Sequence, residues 1–205
     1  MKWFIGLLFC AMPLGAATLE EAGLVNVQTV ADLPVFVSLR YATTDNFTGK
    51  KIYTSDACYL HKEAVEGLKI ATQLAAAQPE AFTFCLWDCY RPQHAQEKLW
   101  AAAPRPNYVA PPQKGSRHSR GMSVDLTPCD LNGNPLPMPT DFDSFTPRAH
   151  MDYKKLPADI LNRRETLKKI MEEAGFTYTR TEWWHFDKRG WKKKPLLNLL
   201  PPKSN

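Results

Sequence analysis

Two short segments of the sequence combine histidine with acidic residues. SRHSRGMSVDLT carries His118 and, seven residues later, Asp125, whereas TEWWHFD carries His185 with Glu182 three residues before it. A catalytic zinc site needs three neutral or anionic ligands and one position left for water, and a nearby carboxylate can take the proton of that water. The spacing alone leaves the alternative open that each histidine is an ordinary core or surface residue.

The chain around these residues must bend for them to share one site. Residues three apart on a regular strand point to opposite faces, so Glu182 and His185 require a bend or bulge between them. Gly121 similarly lets the chain turn between His118 and the strand that would carry Asp125. We therefore expect irregular backbone on both sides of any site that these motifs form.

The hydrophobic pattern predicts an α+β fold with a mainly antiparallel central sheet flanked by helices. The apolar stripes and the positions of proline and glycine predict three helices, and Ser55 or Asp56 is placed to cap the first of them. The prolines and aspartates between residues 128 and 157 indicate an ordered loop or lid. The predicted helices cover about 61–78, 92–102 and 158–174, and the predicted strands 82–88, 121–127, 176–180 and 183–187.

The first 17 residues have the layout of a secretory signal peptide, with Lys2, an apolar run and then small residues. We expect cleavage after Ala17, which leaves residues 18–205 as a single catalytic domain that is periplasmic or secreted. The apolar run is broken by Pro13 and Gly15 and is short for a span, so no stable membrane insertion is expected after cleavage. An uncleaved anchor and a lipoprotein attached through Cys10 remain as alternatives.

Four cysteines remain after removal of the signal peptide: Cys58, Cys85, Cys89 and Cys129. Four cysteines allow three connectivities, and free buried thiols are a further alternative. A helix packed antiparallel to the strand that follows it would bring Cys58 close to Cys89. Two antiparallel strands would bring Cys85 close to Cys129. The sequence therefore predicts these two disulfides.

The formal net charge is +5, and the densest cluster of basic residues lies in the C-terminal tail, over residues 188–194. A solvated basic tail is the simplest interpretation, and a weak contact with the anionic cell envelope is the alternative. No recognisable nucleic-acid-binding motif accompanies the charge, so nucleic acid is not expected as a partner.

Four motifs in chain order carry a family resemblance: YATTDNFTGK, WDCYRP, SRHSRGMSVDLT and EWWHF. Together they resemble the zinc D-alanyl-D-alanine dipeptidases of the vancomycin-resistance type, in peptidase family M15. That family stands within the wider group of D,D-peptidases related to the hedgehog signalling domain. The resemblance runs from about residue 41 to residue 186, and it implies the fold of that group.

The resemblance also implies a role for each residue of the two histidine motifs. It implies that one Zn²⁺ is held by His118, Asp125 and His185, and that Glu182 is the catalytic base. It further implies that Arg91, in the WDCYRP motif, stabilises the oxyanion, since a fixed guanidinium can face developing negative charge. The alternative for Arg91 is a surface salt bridge.

Three further residues are implied to contact the substrate. Ser116 and Asp143 match positions that the family uses to hold the free amino group of the substrate, and Tyr41 would line the pocket. Their alternatives are a helix cap, a loop turn and an anchor for the N-terminal segment. Arg117 and Met122 depart from the resistance enzyme, which has small residues at these positions.

The implied activity is hydrolysis of the D-alanyl-D-alanine dipeptide by a water that zinc and a glutamate activate. One alternative is a D,D- or L,D-carboxypeptidase or endopeptidase that acts on longer peptidoglycan peptides. Another is a zinc-binding protein without catalysis, which would have no need for both a base and an oxyanion-stabilising cation. The export signal departs from the resistance enzyme, which works in the cytoplasm.

Overall fold

The computed structural model describes residues 17–203. The predicted signal peptide, apart from Ala17, therefore lies outside the described residues, as does Cys10. The described range contains seven strands and three α-helices. The strands are β1 (Leu24–Asn26), β2 (Val35–Val37), β3 (Tyr59–His61), β4 (Thr83–Asp88), β5 (Ser123–Cys129), β6 (Phe176–Thr179) and β7 (Glu182–Lys188), and the helices are α1 (Lys62–Ala76), α2 (Gln93–Ala102) and α3 (Ala158–Glu173).

The central sheet has five strands in the order β2-β4-β5-β7-β6. Every neighbouring pair is antiparallel except β2 and β4, which are parallel. Strands β1 and β3 form a separate antiparallel pair. The predicted α+β fold with a mainly antiparallel sheet is confirmed. The sequence did not reveal β1, β2 and β3, because three residues are too few to show an alternating pattern.

Helix α1 packs its apolar stripe against the sheet. Ala64, Leu68 and Ala71 on this stripe have no exposed surface. The helix begins directly after β3, and Nδ1 of His61 accepts a hydrogen bond from the backbone N–H of Glu63 at 3.2 Å. The predicted cap at Ser55 or Asp56 is therefore wrong, because β3 occupies the residues between those positions and the helix.

Helix α3 packs against β6 and α1 and ends where the sequence predicts it. Leu167 and Met171 on its inner face are fully buried. Gly175 follows with a φ of +84°, a left-handed conformation that glycine adopts without strain. The chain then turns directly into β6.

Two irregularities interrupt the sheet. On β4, Leu86 pairs with Leu126 and Asp88 pairs with Asp125, so Trp87 is an extra residue. Between β6 and β7, the pairs at Phe186 and Glu182 are four residues apart on β7 but adjacent on β6. Such bulges redirect side chains and are frequent beside active sites. The bend predicted between Glu182 and His185 is present in the structure.

The four cysteines form one disulfide. Cys58 and Cys89 are bonded, with their Cα atoms 5.7 Å apart. Cys85 and Cys129 are buried free thiols, so the second predicted bridge is wrong. The strand register explains the error, because Cys129 lies opposite Thr83 and Cys85 lies opposite Thr127. The two cysteines are therefore diagonal neighbours on one face and not directly opposite each other, and their thiols interact without a bond between the sulfur atoms.

Aromatic side chains fill the core between the sheet and the loop that follows β5. Trp87, Trp183, Trp184 and Phe142 contact one another with ring centroids 5.5–5.8 Å apart. Trp87 and Trp183 are thus packing residues that support the strands of the candidate site, whereas Trp184 packs with them and also lines a cavity. None of the helices described between residues 17 and 203 is long and apolar enough to cross a membrane.

Candidate metal centre and active site

The sheet brings the three predicted metal ligands together. Asp125 on β5 lies directly opposite His185 on β7 in the ladder, and its Oδ1 is 2.8 Å from Nδ1 of His185. Nε2 of His118 lies 3.1 Å from the same His185 nitrogen and 3.3 Å from Oδ1 of Asp125. One ligand atom from each residue lies within 4.8 Å of the others, and all three residues are buried. They can therefore share one ion.

His118 reaches the site from a short 3₁₀ turn that ends at Gly121. Gly121 has a φ of +65°, and a Cβ atom there would collide with Cδ2 of Leu24 and lie 3.1 Å from the backbone nitrogen of His61. Glycine fits this left-handed position without strain, whereas a larger residue would have to move the Leu24 side chain and would crowd β3. The turn predicted at Gly121 is thus required by both its backbone conformation and its packing.

The outer nitrogen of each imidazole has its own partner. Nδ1 of His118 lies 2.8 Å from the carbonyl oxygen of Cys89, and Nε2 of His185 lies 2.9 Å from Oδ1 of Asp187. The Ser123 hydroxyl donates to the same Asp187 oxygen at 2.6 Å. Partners of this kind fix the tautomer and orientation of metal-binding histidines. Two imidazoles and one carboxylate, held in this way, are a donor set that suits zinc.

The charges in the site perturb one another strongly. Burial alone would raise the pKa of Asp125, but His118 and His185 hold it well below its usual range. Burial alone would lower the pKa of His185, but Asp187 and Asp125 raise it well above its usual value. This cluster of opposite charges is stable in the structure because each group faces a partner.

Glu182 lies beside the three ligands without joining them. Its Oε2 is 3.9 Å from Nδ1 of His185, and its side chain is 13% exposed. Burial raises the pKa of Glu182 to about 7, although the charge of His185 opposes the shift. A carboxyl group with such a pKa can both accept and donate a proton near neutral pH.

Arg91 is held by two buried partners. Its Nε donates to Asp88 at 3.0 Å, and its Nη1 donates to Oε1 of Gln96 at 2.7 Å. Asp88 is fully buried and also accepts a hydrogen bond from the Tyr53 hydroxyl at 2.6 Å. Nη2 of Arg91 approaches Oδ2 of Asp125 to 4.0 Å. The alternative of a surface salt bridge is wrong, because the guanidinium is buried beside the metal ligands.

Tyr41 and Asp143 form a pair at one end of the site. The Tyr41 hydroxyl lies 3.0 Å and 3.1 Å from the two carboxylate oxygens of Asp143, and the Arg91 guanidinium lies 5.1 Å from the centroid of the Tyr41 ring. Burial, and then the charge of Asp125, raise the pKa of Asp143 well above its usual range. The Ser116 hydroxyl accepts a hydrogen bond from the backbone N–H of His118 at 3.2 Å, so it also has a local structural role.

A single cavity of about 380 Å³ joins these groups. Its volume lies in the range of small-molecule sites. The cavity is lined by all eight of the metal, catalytic and substrate residues that the sequence predicts, which are Tyr41, Arg91, Ser116, His118, Asp125, Asp143, Glu182 and His185.

The sequence analysis missed residues that hold the others in place. Asp187 stands two positions after His185 on the same strand, and this spacing puts both side chains on one face. Asp88 lies within the WDCYRP motif, where it could have been read as a partner for Arg91. Tyr53 gave no comparable signal, because it is distant in sequence from Asp88, which it contacts. Gln96 follows Arg91 by five residues, but a glutamine in a helix carries no specific signal of such a contact.

Comparison with known proteins gives a consistent result. The family profile of peptidase M15, described as D-Ala-D-Ala dipeptidase, matches residues 20–196. A D-alanyl-D-alanine dipeptidase of Escherichia coli strain K12 is 41% identical over 161 residues, which are 78% of this chain and 82% of that protein. Proteins of the same name from Enterococcus faecium and Streptomyces coelicolor are 35% and 36% identical, each over 72% of this chain and 82% of the relative. The chain therefore belongs to the D-Ala-D-Ala dipeptidase family, peptidase family M15.

Proposed function

We propose that this protein hydrolyses the D-alanyl-D-alanine dipeptide in a zinc-dependent reaction. The observation that carries the proposal is the convergence of His118, Asp125 and His185 on the wall of a cavity that also contains Glu182. The relatives from Escherichia coli and Enterococcus faecium bear the name of this activity, which supports the choice of substrate.

The three converging side chains are the proposed zinc ligands. A zinc ion held there would lower the pKa of a water molecule towards about 7 and would polarise the carbonyl under attack. The outer nitrogens of His118 and His185 donate to the Cys89 carbonyl and to Asp187, so the inner nitrogens face the centre of the cluster as lone pairs. This chain thus supplies two neutral ligands and one anionic ligand.

Glu182 is the proposed general base. It takes a proton from the attacking water and then delivers a proton to the amine of the leaving residue. Its position, 3.9 Å from Nδ1 of His185 and on the cavity wall, supports this role, as does its pKa of about 7. A protein that only binds zinc has no need for such a group.

Arg91 is the proposed oxyanion-stabilising residue. Asp88 and Gln96 fix its guanidinium, so little reorganisation is needed when negative charge develops on the carbonyl oxygen. A preorganised donor of this kind contributes about 3 to 4 kcal/mol to stabilisation of the transition state. Its burial strengthens the interaction because water is excluded.

Asp143, Tyr41 and Ser116 are proposed to hold the free ammonium of the substrate. The carboxylate of Asp143 can pair with an ammonium, and the Tyr41 hydroxyl orients that carboxylate. Acetylation of the dipeptide amine would leave the half-buried Asp143 without its partner, so we expect kcat/KM to fall by about 100-fold. Equal rates on acetylated and free dipeptide would instead favour the peptidase of longer peptidoglycan peptides, whose substrates are acylated at this amine.

A panel of substrates tests the function directly. Purified, zinc-loaded protein is offered D,D-, L,D- and L,L-dipeptides and a peptidoglycan pentapeptide, and the released amino acids are measured. We expect the D,D-dipeptide to be hydrolysed fastest. Glu182→Gln should lower kcat by about 10²- to 10⁴-fold while zinc stays bound. His118→Ala should lose both turnover and bound zinc. Turnover retained in Glu182→Gln would contradict the assigned roles.

We also propose that the protein acts in the periplasm or outside the cell, as a single domain after signal cleavage. The signal-like N-terminal sequence supports this location, and so does the Cys58–Cys89 disulfide, since disulfides persist in oxidising compartments. The basic C-terminal tail would there allow at most a weak contact with the anionic envelope. Fractionation of producing cells and mass determination of the mature N-terminus test this proposal.

A further inference from the structure

The cavity is lined by charged groups of both signs, which reach the metal ligands through separate chains of contacts. Asp143 pairs with Tyr41, and the Arg91 guanidinium lies 5.1 Å from the Tyr41 ring and 4.0 Å from Asp125. Asp125 in turn contacts His185 at 2.8 Å. The proposed ammonium site is therefore connected to the metal ligands through Asp125.

A group of basic residues lines the cavity and is connected to the metal ligands through His185; we call it the basic wall. Asp187 contacts His185 at 2.9 Å and also accepts a hydrogen bond from Nη1 of Arg117. Arg117, Arg120 and Lys114 all line the cavity. Within residues 17–203, Arg120 and Lys114 form no ion pair with a carboxylate, so the only described carboxylate that pairs with this wall is Asp187.

The Arg117 guanidinium is held in place but not enclosed. Its central carbon lies 4.8 Å from the centroid of the Trp191 ring, which also lines the cavity, and its side chain is 43% exposed. A guanidinium has five N–H donors, and the hydrogen bond to Asp187 uses Nη1. The stacked, anchored geometry leaves a donor edge that suits a second carboxylate.

From this arrangement, and on the basis of the function proposed above, we propose that Arg117 binds the free α-carboxylate of the dipeptide. Arg117 would thereby select substrates in which only one residue follows the scissile peptide bond. A zwitterionic dipeptide carries an ammonium on one side of its peptide bond and a carboxylate on the other. Asp143 and Arg117 line the same cavity, and their contacts lead to different metal ligands, to Asp125 for Asp143 and to His185 for Arg117. Lys114 and Arg120 add long-range attraction for the same anionic group.

The test compares D-Ala-D-Ala with its C-terminal amide, which differs in lacking the carboxylate charge. If Arg117 forms a hydrogen-bonded charge pair with the carboxylate, the wild-type enzyme should prefer the acid over the amide by about 10- to 100-fold in kcat/KM, which is the usual contribution of such a pair. Arg117→Gln should remove most of this preference by slowing the acid more than the amide. Arg117→Lys should retain part of it. Lys168→Gln removes the same charge from α3, where the ammonium lies over Tyr178, and should leave the preference unchanged.

If Arg117→Gln lowered kcat/KM equally for the acid and for the amide, the proposal would be overturned, because Arg117 would then act only through Asp187 and His185. The zinc content of each variant is measured in parallel. Failure of the proposed function is separable, since zinc-loaded Glu182→Gln can be titrated calorimetrically with both ligands even where nothing is hydrolysed. In that variant, binding of the acid no tighter than the amide, or no binding of either, would also overturn the carboxylate site.

Discussion

At the scale of single residues, the site relies on carboxylates that position other side chains. Asp88 holds Arg91, and Asp187 holds His185 together with the Ser123 hydroxyl. Burial alone would raise the pKa of Asp187, but His185 keeps it at about 2, so this group is anionic whenever the protein is folded at ordinary pH. A permanent anion at the outer nitrogen makes the imidazole a stronger metal ligand.

Asp187→Asn should weaken zinc binding by about 10- to 100-fold, because partners of metal-bound histidines contribute on this scale. The measurement is competition with a chelator of known affinity. Asp152→Asn is the matched control, since Asp152 is 60% exposed in a surface pair with Arg180. If both substitutions left zinc affinity unchanged, Asp187 would have no part in positioning His185.

Asp143 is expected to lower the stability of the fold while it serves the proposed binding of substrate. Its raised pKa means that the folded protein holds this proton more tightly than the unfolded chain does. The destabilisation is absent below the unfolded pKa, near 4, and grows as pH rises towards the folded value. Asp143→Asn should therefore stabilise the metal-free protein by about 1 kcal/mol at pH 8, and this gain should shrink as pH falls towards 4.

Denaturant unfolding of both proteins across this pH range measures the effect. Asparagine suits the backbone, because Asp143 has a φ of +56° and asparagine tolerates the left-handed region. The same substitution should lower activity on the free dipeptide, since the proposed partner of the ammonium is lost. A stability difference that did not depend on pH would contradict an electrostatic origin.

At the scale of elements, the backbone departs from regular structure where the chemistry is placed. The extra residue on β4 lies just before the segment that carries Cys89 and Arg91. The Cys58–Cys89 disulfide joins this segment to the residue that precedes β3, and the Cys89 carbonyl accepts from Nδ1 of His118. The disulfide therefore anchors a backbone group that orients a proposed metal ligand.

Replacing both cysteines, Cys58→Ser with Cys89→Ser, should lower the free energy of unfolding by about 2 to 4 kcal/mol, the usual contribution of a disulfide. It should also weaken zinc binding, because the Cys89 carbonyl is then held less firmly. Denaturant unfolding and chelator competition measure the two effects. Cys85→Ser, which alters an unbridged thiol, is the control and should leave zinc affinity unchanged.

At the scale of the whole molecule, the two histidine motifs come from distant parts of the chain and meet only in the folded sheet. Asp125 pairs with His185 across β5 and β7, and the loop after β5 supplies Asp143. An ion bound at this junction would link the motifs and would bind the folded state alone. Metal binding and folding would therefore be coupled.

Removing zinc with a chelator should abolish hydrolysis, and adding one equivalent per chain should restore it. Zinc at 100 times its dissociation constant should stabilise the fold by about 2.7 kcal/mol, seen as a higher unfolding midpoint. Glu182→Gln should show the same stabilisation without turnover, which separates binding from catalysis. Full turnover in metal-free protein would contradict the mechanism.

The sequence by itself determined the local features of this protein. The spacing of apolar residues and the positions of glycine and proline predicted α1, α2, α3 and the four longest strands, because these signals depend on residues close together in the chain. The residue types in SRHSRGMSVDLT and EWWHF are compatible with a zinc site but leave ordinary histidines as an alternative. The proposed roles rest on the family resemblance, which the family comparison confirms.

Only the tertiary structure decided how distant segments face one another. The register of β4 against β5 sets Cys129 opposite Thr83 and not opposite Cys85, and the predicted bridge between the two cysteines is absent. The register of β5 against β7 sets Asp125 opposite His185, and the fold brings Arg117 to Asp187. Register follows from bulges and from packing over the whole sheet, because a strand's own alternation is the same in every register that differs by two residues.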